Sequence, residues 1–266
     1  MHSLEILIGT SGFSYEDWRG YFYPQRLSKE NFLKFYSQHF RTTEINSTYY
    51  RIPSIWTVRK LTEKVIGRDD FVFSVKANQI FTHQRYFEQS DVKKMKEVLK
   101  EFDGKLGIVL FQFPHSFHKT EESKDYVKHL RDIFSDFDVA FEFRSYEWFS
   151  DDVLYMLENL DAGFVCVDEP KIKGLLPPVA VATTKKFAYI RFHGRNAQKW
   201  YEHEKPEERY DYLYTKDELK EWAEKIKNLS VEKIYIYFNN HPRAQAVSNA
   251  KMMEELLLTS NQLLIL

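Results

Sequence analysis

The stretch that decides how this chain is read is Ala188-Tyr189-Ile190-Arg191-Phe192-His193-Gly194-Arg195. Ala188, Ile190 and Phe192 share one face, and Tyr189, Arg191 and His193 share the other. A repeat of two is the side-chain period of a β-strand. The second face is nevertheless unlike that of a sheet with one wet side, because it ends in two cation-capable groups directly before Gly194. A strand of this kind, closed by a glycine turn, marks a candidate site at a strand mouth.

Working outward, strand-like runs recur at 4–8, 43–47, 71–76, 106–112, 139–144, 164–168, 188–193 and 234–239. Helical periodicity recurs at 29–38, 54–65, 91–102, 121–134, 151–159, 216–227 and 244–258. Ser28, Ser90-Asp91 and Ser150-Asp151 read as N-caps. Gly9-Thr10-Ser11-Gly12 reads as the end of the first strand. Gly174 and Pro177-Pro178 break the segment after the sixth strand, so a sixth helix is expected to be short or irregular. Strands alternating with helices imply a parallel sheet covered by helices. Eight such units in 266 residues predict an α/β fold, a closed (β/α)8 TIM barrel, as one domain over 1–266. Long aromatic loops follow strands one and seven. A doubly wound open sheet is the runner-up, but no G-x-G-x-x-G follows the first strand.

Composition narrows the function classes. A net charge of −1 argues against a general binder of nucleic acid or anionic membrane, which usually carries a basic excess. The single Cys166 cannot form an internal disulfide and reads as a buried thiol. No signal peptide and no membrane-spanning stretch is visible, so the expected compartment is cytoplasmic. No residue pattern specifies an oligomeric state.

Strand parity then selects the inward side chains. With Ile45, Phe73, Val75, Phe141, Phe143, Ile190, Phe192, Ile236 and Phe238 facing the helices, the inward set is Glu44, Asn46, Lys76, Glu142, Arg144, Arg191, His193 and Asn239. Val165 and Val167, taken as outward, add Asp168; Gln112 is placed inward on a strand apolar on both faces. Polar groups thus collect at the C-terminal strand ends, where barrel enzymes keep their sites.

Several motifs in one order resemble the YecE-like family, barrel proteins that carry a domain of unknown function. They are Gly9-Thr10-Ser11-Gly12 with Tyr15, Trp18 and Phe22-Tyr23-Pro24; the run from Glu44 to Pro53; Lys76; Thr82-His83; and Gln112-Phe113-Pro114. Glu142-Phe143-Arg144 with Trp148, Asp168-Glu169-Pro170, Tyr189 to Arg195, Tyr210-Asp211-Tyr212 and Asn239-Asn240-His241 complete the set. Phe13 stands where the family pattern has tryptophan, a departure that bears on local packing. The resemblance implies the barrel and brings no established activity.

Function therefore has to come from the site. Three carboxylates (Glu44, Glu142, Asp168) and three cations (Lys76, Arg144, Arg191) could simply neutralise one another as a polar plug. His193, Arg195 and His241 tilt the rim positive, and the loops after strands seven and eight, with Asn239-Asn240-His241 in the second, often bind phosphate in barrels. Pro242 suits the first turn of the final helix, whose N–H groups would favour an anion. The leading expectation is a small anionic ligand, phosphorylated or carboxylated, with His193, Glu142, Glu44 or Asp168 doing acid–base work in a hydrolase, lyase or isomerase. The first alternative is a divalent-metal-dependent phosphoesterase or sugar isomerase using His83, His115, His118, His193 and the carboxylates. No H-E-x-x-H spacing supports it, and no cofactor or metal is expected. A second alternative is single-stranded nucleic acid stacked on Trp200, Tyr201, Tyr210, Tyr212 and Tyr214, or another non-catalytic binding module. Glu202, Glu204, Glu207, Glu208 and Asp211 dilute the charge of that loop.

Overall fold

Eight parallel strands close on themselves in sequence order, with β8 returning to β1. The computed structural model describes residues 4–262. The strands are β1 (Glu5–Ser11), β2 (Thr42–Ile45), β3 (Val72–Lys76), β4 (Leu106–Gln112), β5 (Val139–Glu142), β6 (Gly163–Asp168), β7 (Phe187–Phe192) and β8 (Lys233–Phe238). The helices are α1 (Phe32–Tyr36), α2 (Ser47–Tyr50), α3 (Ile55–Glu63), α4 (Gln89–Lys100), α5 (Glu121–Ile133), α6 (Asp151–Asn159), α7 (Lys216–Lys227) and α8 (Gln245–Gln262). This is a (β/α)8 TIM barrel. Among the described residues no helix joins β6 to β7, as Gly174 and the proline pair require.

Two boundaries differ from the sequence reading for packing reasons. β1 runs on through Gly9 and Thr10, which pair with Thr42 and Thr43. Gly9 is there because a Cβ would stand 2.1 Å from the Thr42 carbonyl oxygen; it permits close strand approach rather than a turn. The helix expected from Asp91 starts earlier, and its capping box is Glu88 with Asp91, not Ser90.

The inner layers rise along β7 and β8. Tyr235 and Tyr189 stack low in the barrel at 6.2 Å between ring centroids. Gly107 leaves room for the Tyr235 ring. Above them the Tyr237 hydroxyl shares hydrogen bonds with Thr42 (2.6 Å) and Ser74 (2.9 Å). The ionic layer sits next, at the C-terminal strand ends. Across the β1–α1 and β8–α8 turns, Trp18 donates its indole N–H to the His241 carbonyl at 2.7 Å, and Tyr23 stacks on Phe32 at 4.0 Å. The aromatic loop after β1 therefore packs as a lid over that side. Phe13 keeps its place by accepting the Tyr23 hydroxyl at 2.5 Å and packing near Tyr36.

Candidate functional site

The alternate residues of β7 build the site in steps. Tyr189 donates its hydroxyl to Glu44 Oε2 at 2.7 Å. One step higher, Arg191 reaches Glu44 Oε1 (2.7 Å) and Ser11 Oγ (3.2 Å) with Nη2, and Glu142 Oε2 (2.5 Å) with Nη1. Its Nε–H is buried and has no hydrogen-bond partner among the described residues, and the same holds for Asn46 Oδ1. Another step up, His193 lies fully buried between Glu142 Oε1 (3.1 Å from Nε2) and the Asn239 amide (3.2 Å from Nδ1). Arg191 and Arg144 beside Glu142 hold its carboxyl well below the usual range against the opposing effect of burial. An ionised Glu142 accepts the Nε2–H, so Nδ1 accepts from Asn239. Burial, helped by Arg144, pushes His193 down to about 3, which fixes a neutral ring.

The open side of the mouth is different. Lys76, half-buried at the end of β3, donates to Gln112 Oε1 at 2.8 Å and lies 4.2 Å from the Tyr49 ring centroid. Burial, aided by Arg191, lowers its amine to about 7. Gln112 is fixed by its own Nε2–H bond to the Phe113 carbonyl at 2.6 Å. Arg144 spans Glu142 (3.0 Å) and Glu169 (2.8 Å), with Trp200 near its guanidinium. Glu169 also accepts the Leu176 N–H at 3.2 Å, and burial raises its carboxyl to about 7. A π-helical turn, Ile80–Gln84, follows β3 and brings His83 to 5.0 Å from the Tyr49 ring. Burial and the nearby Lys76 lower that imidazole to about 4. Such turns are frequent at functional sites.

Several expected members stand elsewhere. β6 has the reverse parity: Cys166 bonds outward to the Val181 backbone, and Asp168 follows it to the same side. Val165 and Val167 therefore face the barrel interior. Asp168 accepts from Tyr214 (2.7 Å) and from the Trp222 indole of α7 (2.6 Å). Arg195 grips it and also reaches Glu218 at 3.1 Å. This is a second, closed cluster between the sheet and α7. Asn240 also turns away, donating to the Tyr212 carbonyl and Asn249, both at 2.8 Å. Nor does a free helix end await an anion after Pro242. Arg243 and Ala244 take left-handed φ of 52° and 57°, α8 starts only at Gln245, and Asp17 already accepts the Arg243 N–H at 2.8 Å. The anion subsite expected in the last two loops is thus occupied by the chain's own groups. His241 is at the rim, stacked on Tyr15 at 4.6 Å. Of the alternative metal ligands, His115 and His118 pair with each other in the β4–α5 loop, and among the described residues no three His, Cys, Asp or Glu side chains gather to hold a metal.

Glu169, Ser11 and Tyr49 are the participants that the parity argument missed. Glu169 had a signal, since it follows Asp168 directly and so faces opposite to it.

Two cavities adjoin the mouth. One of about 260 Å³ runs from Tyr15 and Glu44 past Asn46 to α3. The other, about 660 Å³, lies at the rim among Tyr15, Tyr50, Tyr210 and His241. A third, about 690 Å³, lies between α4 and α5 and shares none of these residues.

These features define a class: a TIM barrel whose C-terminal mouth carries buried ion pairs beside a half-buried lysine. The chain belongs to the family described as protein of unknown function DUF72, whose model matches residues 7–264. The UPF0759 protein YunF of Bacillus subtilis (strain 168) is 32% identical over 275 aligned positions, spanning 95% of this chain and 94% of its own. A solved DUF72 family protein from Thermotoga maritima MSB8 is 38% identical with a TM-score of 0.85, covering 96% of this chain and 99% of its own. Another, from Enterococcus faecalis V583, has a TM-score of 0.85 at 26% identity and covers 95% of each. Among the described residues no helix is long and apolar enough to cross a membrane.

Proposed function

We propose that the mouth binds a small anionic molecule, phosphorylated or carboxylated, on its Lys76 and Arg144 side, and acts on it by acid–base chemistry. One observation carries this reading. Lys76 makes no ion pair among the described residues; its partners are a neutral amide oxygen and an aromatic face. Arg144 and Arg191, by contrast, each bridge two carboxylates. A ligand carboxylate or phosphate would supply the missing counter-charge and favour the ammonium form.

The titrating groups on this reading are Glu169, bonded to Arg144, and, separately, Lys76, bonded to Gln112. Burial moves a carboxyl up and an amine down until both titrate near neutrality, the condition for proton transfer at working pH. His193, with both nitrogens engaged, orients Glu142 and Asn239 instead. The YecE-like likeness adds no activity to this account.

A melt of the full chain with and without inorganic phosphate or malonate tests it. Either anion should raise the melting temperature, because a ligand at about a hundredfold its Kd adds about 2.7 kcal/mol. The rise should be larger at pH 6 than at pH 9, where Lys76 is neutral. Lys76→Met should abolish it. No rise in the wild type, or an equal rise in Lys76→Met, would overturn the reading.

A further inference from the structure

We infer that the Lys76 amine is a nucleophile that forms a reversible imine with an aldehyde or ketone group carried by the bound anion. The inference deepens the reading above and rests on it: the substrate class becomes an anionic carbonyl compound, such as an oxo acid or a phosphorylated sugar in its open form.

The geometry of Lys76 argues for this. A lysine kept only to neutralise an anion is best held as an ammonium by a carboxylate, and among the described residues no carboxylate pairs with it. Its single strong contact is Gln112 Oε1, a neutral acceptor that brings no counter-charge to an ammonium. Gln112 cannot turn its amide N–H toward Lys76 without losing its bond to the Phe113 carbonyl. The Tyr49 ring covers one flank, and the residue as a whole is half-buried. The charged groups that act on it from neighbouring strands are Arg191, Glu142, Glu44 and Arg144, with neutral His83 above β3. Burial dominates their sum and lowers the amine toward the free-base form near neutral pH.

The step balances without a further reactant. The Nζ lone pair attacks the carbonyl carbon, the C=O π pair moves to oxygen, and one proton passes from nitrogen to that oxygen to give a carbinolamine. The hydroxyl then leaves with the second nitrogen proton as water while the C=N bond forms. Hydrolysis is the reverse. The Arg144 side of the mouth would hold the anionic group of the same molecule.

Glyoxylate, which carries an aldehyde and a carboxylate, is the probe. The full chain is incubated with it, reduced with borohydride and mapped by peptide mass spectrometry. One adduct at Lys76 is expected, forming at least tenfold faster at neutral pH than at the exposed lysines. Its rate should rise through about pH 7 and level off, whereas that of ordinary lysines climbs toward about pH 10. Inorganic phosphate should slow it. Lys76→Arg keeps a cation and should retain stabilisation by phosphate while taking no adduct at that position. Even labelling of surface lysines, with Lys76 no faster, would overturn the imine. If phosphate stabilises the wild type while Lys76 stays unlabelled, anion binding survives and the imine falls. If Lys76 is trapped but no anion shifts the melt, the nucleophile stands and its counter-charge role falls.

Discussion

Arg195 holds Asp168 edge to edge, with Nε 2.8 Å from Oδ1 and Nη2 2.7 Å from Oδ2. This bidentate pair lies outside the barrel mouth, so Arg195 fixes structure rather than a ligand. Arg195→Ala leaves a fully buried carboxylate with, among the described residues, only the Tyr214 and Trp222 side-chain donors. It should cost about 3 kcal/mol in a urea melt, the low end of what breaking a buried pair costs. Stabilisation by phosphate should be unchanged. A variant as stable as the wild type, or one that loses the phosphate effect, would return Arg195 to the site.

What the sequence could show was set by how each strand is buried. β7 has polar residues on one face only, so Tyr189, Arg191 and His193 read correctly as inward. β6 offers no such contrast: Phe164, Val165, Cys166 and Val167 are all apolar, because parallel strands in a barrel are covered on both faces. Asp168 could then be assigned to either side, and only the donors brought by Tyr214 and α7 decide it. Gly9 failed for a related reason. A turn glycine and a glycine that admits a neighbouring backbone look alike in one sequence. Gly9→Ala separates them: its Cβ would meet the Thr42 oxygen, so the variant should melt far below the wild type, whereas a loop site would tolerate alanine.

His193 should make the fold acid-sensitive. Its folded pKa is near 3 and its usual value 6.5, so between these the unfolded chain binds a proton that the folded chain does not. Stability therefore falls as pH drops from about 6.5 toward 3. His193→Gln, whose amide can still donate to Glu142 and accept from Asn239, should flatten this limb, with His83 keeping part of it. Glu169 works in the opposite direction: raised from 4.5 to about 7, it loses its contribution as pH climbs through that interval. Glu169→Gln should therefore steepen the rise in stability from pH 5 to 7. Melts across pH 4–8 decide both, and unchanged slopes would show that neither group is shifted.

Single-stranded nucleic acid should bind weakly, with a shallow salt slope. Trp200 is buried near Arg144, Tyr212 and Tyr214 are committed to Glu218 and Asp168, and Tyr201 is the exposed ring. Lys199 pairs with Glu208 at 2.9 Å. Few phosphates would be neutralised, and each contributes about −0.7 to the slope for single strands. Trp200→Ala should lower stability rather than affinity. A slope steeper than about −3, lost in that variant, would establish a nucleic-acid surface.

Arg191 is the partner on which Glu44 depends most. Glu142 keeps Arg144 at 3.0 Å if Arg191 is removed, but among the described residues Glu44 retains only the neutral hydroxyls of Ser11 and Tyr189. Arg191→Met should cost about 3–5 kcal/mol, since it strands a buried charge. The asymmetry predicts how the loss is repaired. Glu44→Gln added to Arg191→Met removes the stranded charge while its amide oxygen accepts from one hydroxyl and its N–H donates to the oxygen of the other, so it should restore most of the stability. Glu142→Gln in the same background removes a charge that Arg144 still satisfies and leaves Arg144 with Glu169 alone, so it should restore little. Urea melts of the three variants at one pH measure all of this. Equal rescue by the two glutamines, or better rescue through Glu142, would mean that Glu44 is not the carboxylate that Arg191 exists to hold.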